Sequence, residues 1–241
     1  MRRIRSGGST IDVDLHDQVG WHAFFGFSIA AEEHLHALFA PGQVVADVGA
    51  NIGTTALFEA SAVGPNGRVF AFEPHPGNFS KMKHNLSLNA ASNVSPVNMG
   101  LSDVAGPAFM DEPRSDNAGA HRVSPTGRVP IQLTTLDRFL DSVGPLERLD
   151  VVKIDVEGFE TRVLRGAKRT LARFHPVLFI EVHDGHLRDA GSSAKELITF
   201  VRGLGYEVVD ADTGAQTYPD SDFTEWTDVI CKTIAGQRTV A

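Results

Sequence analysis

The sequence lacks most of what marks an extracellular, membrane-spanning or nucleic-acid-binding protein. It holds one cysteine, Cys231, so no internal disulfide framework can form. That thiol lies in an apolar run and reads as a core side chain rather than a nucleophile. No stretch approaches the roughly 18 consecutive apolar residues of a membrane span. The 22 Lys and Arg are outnumbered by 30 Asp and Glu, giving a net charge of -8. They are scattered, which argues against the basic face that a nucleic-acid partner requires. The start, Met1-Arg2-Arg3-Ile4-Arg5, is basic, but Ser6-Gly7-Gly8 follows where a signal peptide needs an apolar segment. A cytoplasmic location is therefore expected, with the sequons at Asn78, Asn85 and Asn93 accidental. There is no internal repeat and no low-complexity segment. The only tyrosines are Tyr206 and Tyr218, and neither has a lysine four residues on.

What is present is a chain of 241 residues, 42% hydrophobic, enough for one α/β domain over residues 1–241. Residues 1–42 read as an N-terminal strand and helix extension. Apolar β-type runs near 43–48, 68–72, 94–99, 150–155, 177–182 and 206–210 alternate with helical patterns near 53–62, 76–90, 159–172 and 193–203. Continuous apolar strands separated by helices predict a doubly wound, Rossmann-like, mostly parallel sheet. A seventh strand, Asp228-Val229-Ile230-Cys231-Lys232-Thr233, follows without an intervening helix and is expected to run antiparallel. Residues 104–134, rich in Gly, Pro, Ser and Asn, are an insertion with two strand-like edges, 106–110 and 128–133, suited to a lid near a substrate.

The most informative segment is Val44-Val45-Ala46-Asp47-Val48-Gly49-Ala50-Asn51-Ile52-Gly53, a strand, a glycine turn and a helix start. A dinucleotide fingerprint from Gly49 needs glycine at positions 51 and 54, which hold Asn51 and Thr54. The pattern D-x-G-x-N-x-G instead resembles the cofactor loop of class I S-adenosylmethionine (SAM) methyltransferases. Ligands of open α/β sheets bind beyond the carboxyl ends of the strands. There Asp47 can hold the amino-acid end of a ligand, or cap the loop. Gly49 and Gly53 allow close backbone approach. Glu73, 26 positions after Asp47, can grip ribose hydroxyls or cap the next helix behind Pro74. Leu101-Ser102-Asp103 can meet an adenine edge or form an ordinary turn.

These blocks carry a resemblance to the FkbM family of SAM-dependent methyltransferases over roughly residues 30–185. The matching pieces are Asp47-Val-Gly-Ala-Asn-Ile-Gly53, Ala71-Phe-Glu-Pro-His-Pro76, Asn85-Leu-Ser-Leu-Asn89, Leu101-Ser-Asp103, Thr135-Leu-Asp137 and Lys153-Ile-Asp-Val-Glu-Gly158. The resemblance implies the class I methyltransferase fold, SAM as cofactor, S-adenosylhomocysteine (SAH) as product and methylation of a hydroxyl on a sugar, lipid or natural product. It extends the cofactor set to Ala50, Asn51, Thr54, Pro74 and Asp155.

Period-two alternation puts Lys153, Asp155 and Glu157 on one side of their strand, and Glu181 and His183 together on the next. Lys153 can be a buried ion-pair partner. Asp155, Glu157, Glu181 and His183 can converge on one cleft, where His183 is the preferred general base, since a neutral imidazole suits proton removal from a hydroxyl. A strand-end histidine bonded to loop backbone is the alternative. His121, in the insertion, is a further catalytic candidate. A divalent metal held by Asp155, Glu181 and His183 is possible but not favoured, because nothing in the spacing demands it. The acceptor expected is a small hydroxylated molecule. A nicotinamide oxidoreductase and a non-catalytic nucleotide-binding module are the competing functions.

Overall fold

The computed structural model of the chain describes residues 1–16, 30–111 and 121–233, with Trp21 and Phe24 between the first two stretches. A hairpin of β1 (Arg2–Ser6) and β2 (Ser9–Val13) opens it. Next come α1 (Ala30–His36), β3 (Val44–Val48), α2 (Thr54–Val63), β4 (Arg68–Phe72), α3 (Pro76–Leu88) and β5 (Val94–Val97). Three short strands follow: β6 (Gly100–Leu101), β7 (Gly106–Met110) and β8 (Val129–Thr134). The remainder is α4 (Leu136–Ser142), β9 (Val151–Ile154), α5 (Glu160–Arg165), α6 (Lys168–Phe174), β10 (Val177–Val182), α7 (Asp184–Asp189), α8 (Ala194–Gly203), β11 (Tyr206–Asp210) and β12 (Thr227–Thr233).

Seven strands form one sheet in the order β11-β12-β10-β9-β3-β4-β5. Neighbours are parallel except around β12, which runs against both β10 and β11. Alternation within the strands explains why both faces are covered. Val45, Val69, Ala71 and Val151 pack with α2, α3 and β2, including Ala56, Met82, Leu86 and Val13. Ala46, Val48, Phe70, Phe72, Val152 and Ile154 pack on the opposite face with Leu136, Leu164, Leu171, Leu197 and Val201. The chain leaves β3 toward β4 on one side and later returns to β9 on the other. The crevice beyond the carboxyl ends of β3 and β9 is therefore the switch point where such sheets take ligands.

Several local expectations change. The helix expected over 159–172 is two helices, broken at Gly166-Ala167. A Cβ on Gly166 would stand 2.0 Å from the Ser102 carbonyl oxygen, so the loop after β6 packs directly on that corner. Strand β1 pairs with β2 although Arg2, Arg3 and Arg5 give it no apolar alternation; Arg3 instead forms a two-bond ion pair with Asp12. Helices α4 and α7 are each short and capped by the side chain before them, Thr135 and His183. Within the insertion β7 and β8 pair antiparallel, and residues 112–120 lie outside the described residues.

The block Asn85-Leu-Ser-Leu-Asn89 proves to be a docking strip for the N-terminal hairpin. Asn89 accepts from the Thr10 N–H (2.7 Å) and donates to the Thr10 carbonyl (2.7 Å). Asn85 accepts from the Asp12 N–H (2.9 Å) and donates to the Ile52 carbonyl (3.0 Å). Helix α3 is thereby tied both to β2 and to the glycine loop.

Candidate active site

The loop after β3 is shaped by backbone conformations that few residues accept. Gly49 has φ 90° and Gly53 φ 86°. A Cβ on Gly49 would come 1.8 Å from the Asp155 carbonyl oxygen, because the end of β9 runs hard against the turn. Asn51 also lies at positive φ, 49°, a region asparagine tolerates better than most side chains. The amides of Gly49 and Ala50 both donate to the Phe72 carbonyl (3.0 and 2.9 Å). Gly53 caps α2 without a side-chain bond, so the first-turn amides of this helix lack the usual side-chain cap.

Glu73 closes β4 and ties this loop down. One carboxylate oxygen accepts from the Asn51 N–H (3.0 Å), the other from the His75 N–H (2.8 Å). Burial pushes its pKa up to about 7, against the lowering effect of those two donors. Glu73 is not itself the helix cap, a role the His75 side chain takes by accepting from the Asn78 N–H; it holds the backbone on either side and lines the cavity beside Pro74.

Asp47 behaves differently from expectation. It is fully buried and does not line the cavity. It is the register partner of Lys153 across β3 and β9, with Lys153 Nζ 3.2 Å from its Oδ1. Lys153 also approaches Asp155 Oδ2 (3.4 Å) and donates to the Gly49 carbonyl (3.3 Å). Glu59, on α2, adds a second buried carboxyl to this group, and burial holds its pKa well above the usual range. Asp47 and Asp155 hold Lys153 above its ordinary pKa in spite of its burial. The ammonium is thus a fixed charge beneath the loop, and it stands between Asp47 and the cavity that Lys153 itself lines.

The cavity at the strand ends measures about 600 Å³, within the range of small-molecule sites. One end is walled by Gly49, Ala50, Asn51, Thr54, Glu73 and Pro74. The other is walled by Asp155, Glu157, Glu181, Asp212, Trp226 and Asp228. Glu181 is pushed up to about 10 by burial and by the Asp155, Asp228 and Glu157 charges around it. It holds its proton at neutral pH, in a hydrogen bond with Asp155. Burial, then Asp155, raises both Glu157 and Asp228 to about 7.

Of the proposed catalytic residues, Asp155, Glu157, Glu181 and His121 line this cavity and His183 does not. His183 caps α7: its Nδ1 accepts from the His186 N–H (3.2 Å). The alternative reading of a strand-end histidine bonded to backbone is the one observed. The Asp155, Glu181 and His183 metal set is not assembled, and no group of three or more such side chains among the described residues is arranged to hold a metal. His121 stacks on His75, ring centroids 4.0 Å apart, with its Nδ1 3.3 Å from the Asp111 carbonyl oxygen. Ser102 and Asp103 turn away from the cavity; Ser102 Oγ donates to Asp103 Oδ1 (3.1 Å), which also faces Arg162 Nη1 (3.5 Å). Only Leu101 of that block reaches the lining.

Glu157 has a setting that its sequence position did not reveal. Its backbone takes φ 55°, a strained conformation for a non-glycine residue of the kind that collects at functional sites. His186 Nδ1 lies 2.9 Å from its Oε2, and Arg122 stands 3.8 Å away while contacting His186 and Asp189. Burial, then the Arg122 charge, drives His186 down to about 4, so it is neutral near pH 7. Gly158 follows because a Cβ there would meet the His186 carbonyl oxygen at 2.3 Å. Trp226, Asp212 and Asp228 were also missed as site residues; the only signal was an aspartate at the head of an otherwise apolar terminal strand.

The strand order, the single antiparallel strand and the glycine loop over a switch-point cavity define a class I methyltransferase architecture. Comparison with known proteins narrows this. The profile of the Methyltransferase FkbM domain matches residues 47–208, and the chain belongs to that family. The hexuronic acid methyltransferase AglP of Haloferax volcanii is 38% identical over 144 residues, covering 59% of this chain and 57% of AglP. Methyltransferase sdnD of Sordaria araneosa is 30% identical over 154 residues, covering 51% of this chain and 59% of sdnD. The chain therefore aligns with under two thirds of either relative's length. Among solved structures, methyltransferase FkbM from Methylobacillus flagellatus superposes with a TM-score of 0.52 at 17% identity, over 88% of this chain and 52% of that one. The Streptococcus mutans protein SMU.1697c, crystallised with SAH, gives 0.50 at 13% identity, over 85% and 96%. At these identities the superpositions establish the fold. No helix among the described residues is long and apolar enough to cross a membrane.

Proposed function

We propose that this chain binds SAM at the β3–β4 end of the cavity and methylates a hydroxyl oxygen of a small acceptor held at the β10–β12 end. The observation that carries the reading is Glu73: its carboxylate fixes the Asn51 amide while lining a cavity that the bare Gly49 turn leaves open. The residues present fit the cofactor. Asn51 Oδ1 is buried without a hydrogen-bond partner, and the first turn of α2 has no side-chain cap. The remaining lone pairs of Glu73 suit ribose hydroxyls.

When bound, the cofactor supplies an electrophilic methyl group on a sulfonium. Asp155, beside Lys153, presents negative charge to that cation. Glu157 is the group we assign as general base. It lines the cavity, and its pKa near 7 matches the pH at which it must accept a hydroxyl proton. His186 and Arg122 position it. The acidic net charge supports an acceptor other than nucleic acid.

Titration calorimetry of the purified protein with SAM and SAH, NAD as control, and Glu73→Ala alongside tests the cofactor. Micromolar binding of the first two, lost in the variant and absent for NAD, is expected. A folded protein that binds neither refutes the assignment. For the base, Glu157→Gln is expected to lower kcat by about 10²-fold or more with SAM binding retained.

A further inference from the structure

Resting on that reading of the cavity, we infer that the acceptor is a polyhydroxylated ring without a carboxylate and that this site excludes acceptors bearing one. Among the described residues, the acceptor end is walled by oxygen acceptors without a free cation. Asp155 and Glu157 come from the turn after β9 and Glu181 from β10, and Asp212 and Asp228 from the loop after β11 and from β12. Lys153 is the only lysine or arginine among the described lining residues, and its ammonium is already held by Asp47 and Asp155. Arg122 stands behind the wall, against His186, Glu157 and Asp189. A carboxylate arriving here meets like charge and, among the described residues, no free lysine or arginine to compensate it, an arrangement that selects against it.

The same wall suits hydroxyls. With Glu181 protonated and Glu157 and Asp228 divided between forms near pH 7, these side chains both donate to and accept from neutral hydroxyl groups. Trp226 supplies the apolar counterpart. Its indole lines the cavity, is half exposed, and is braced by His183 (ring centroids 4.7 Å) and His186 (4.5 Å). A flat aromatic wall bordered by carboxyl groups matches a ring with an apolar C–H face and a hydroxyl rim. This separates the chain from AglP, whose name specifies a hexuronic acid.

The test measures transfer of radiolabelled methyl from SAM to methyl glycosides of glucose, galactose and mannose, each beside its 6-carboxylate counterpart. Labelling of at least one neutral glycoside tenfold or more above its carboxylate form is expected. Asp228→Asn and Asp212→Asn should narrow the gap to the carboxylate, and Trp226→Ala should raise the acceptor KM about tenfold. Equal or better labelling of a carboxylate form overturns the inference. So does the absence of label in every sugar when calorimetry shows SAM bound to the same preparation. Absence of SAM binding is the separate outcome that removes the underlying assignment.

Discussion

Gly49→Ala is the sharpest perturbation that the geometry offers, and Gly42→Ala is its internal control. Both glycines sit at nearly the same positive φ, 90° and 82°. Around Gly42 nothing lies within 4 Å of where an alanine methyl would sit, whereas at Gly49 that methyl would stand 1.8 Å from the Asp155 carbonyl oxygen. The control therefore reports conformational strain alone, about 1–2 kcal/mol, or roughly 2–8 °C in Tm for a chain of this size. At Gly49 the same strain is joined by an overlap with backbone. Relieving it moves the turn from the end of β9 by about 1.5 Å to regain van der Waals separation. That movement disrupts the bond from the Asp155 N–H to the Val48 carbonyl (3.0 Å) and pulls Lys153 from the Gly49 carbonyl. Overpacking of this kind adds about 1–3 kcal/mol, so a total of about 2–5 kcal/mol is expected. Urea denaturation of the two variants gives the difference, and calorimetry with SAM gives the binding loss, expected to exceed about tenfold for Gly49→Ala only. Equal stabilities for the two variants, with SAM affinity kept in both, would refute the close-approach argument.

Lys153→Met leaves the buried carboxyls of Asp47 and Glu59 without their cation and is expected to destabilise by about 3–5 kcal/mol; a urea midpoint equal to wild type would contradict this. Asn89→Ala strands the Thr10 N–H and carbonyl and should lower stability by about 1–3 kcal/mol, with faster proteolysis at the N-terminal hairpin as the local readout. The ligand-free protein should lose stability as pH rises from 6.5 to 8. Glu73, Glu157, Glu160 and Asp228 titrate near 7 when folded and near 4 when unfolded. The folded chain thus carries more protons throughout that window and is disfavoured as they leave. About 2 kcal/mol is expected after allowance for solvent screening, and a thermal midpoint that rises over this interval would show the wrong sign.

The sheet was legible because its central strands β3, β4, β9 and β10 are nearly continuous buried runs, separated by helical patterns, whose connections follow one rule of handedness. The glycine loop and Glu73 were legible for a related reason, since a turn between a parallel strand and its helix has few backbone solutions. Asp47 was not. Whether a strand-end carboxylate faces the cavity or the next strand depends on what stands opposite, and Lys153 is 106 positions away. His183 and His186 posed the same difficulty within one turn: the first proved to be the helix cap and the second the neighbour of Glu157. Gly158 and Gly166 had visible positions in the chain, but their reasons lie in carbonyls of His186 and Ser102 that no local pattern points to.

Carboxyl groups close four neighbouring elements of this sheet, and their partners alone divide their work. Asp47 faces an ammonium from the adjacent strand and becomes part of the foundation beneath the loop. Glu73 faces two amides and becomes a clamp on the turn and on α3. Glu181 faces other carboxyls and keeps its proton, which makes it a donor rather than a charge. Glu157 faces a neutral imidazole and a more distant guanidinium, a balance that leaves it near its midpoint at neutral pH. A group near its midpoint can accept a proton and return it to solvent with little energetic penalty in either direction. Asp47 cannot, since protonating it would undo the ion pair beneath the loop, and Glu73, although it also titrates near 7, has its two oxygens committed to backbone amides that shape the turn. The acids free to titrate without loosening the turn therefore gather on the β9–β12 side, with the strained Glu157 backbone, while the β3–β4 side is built to hold still.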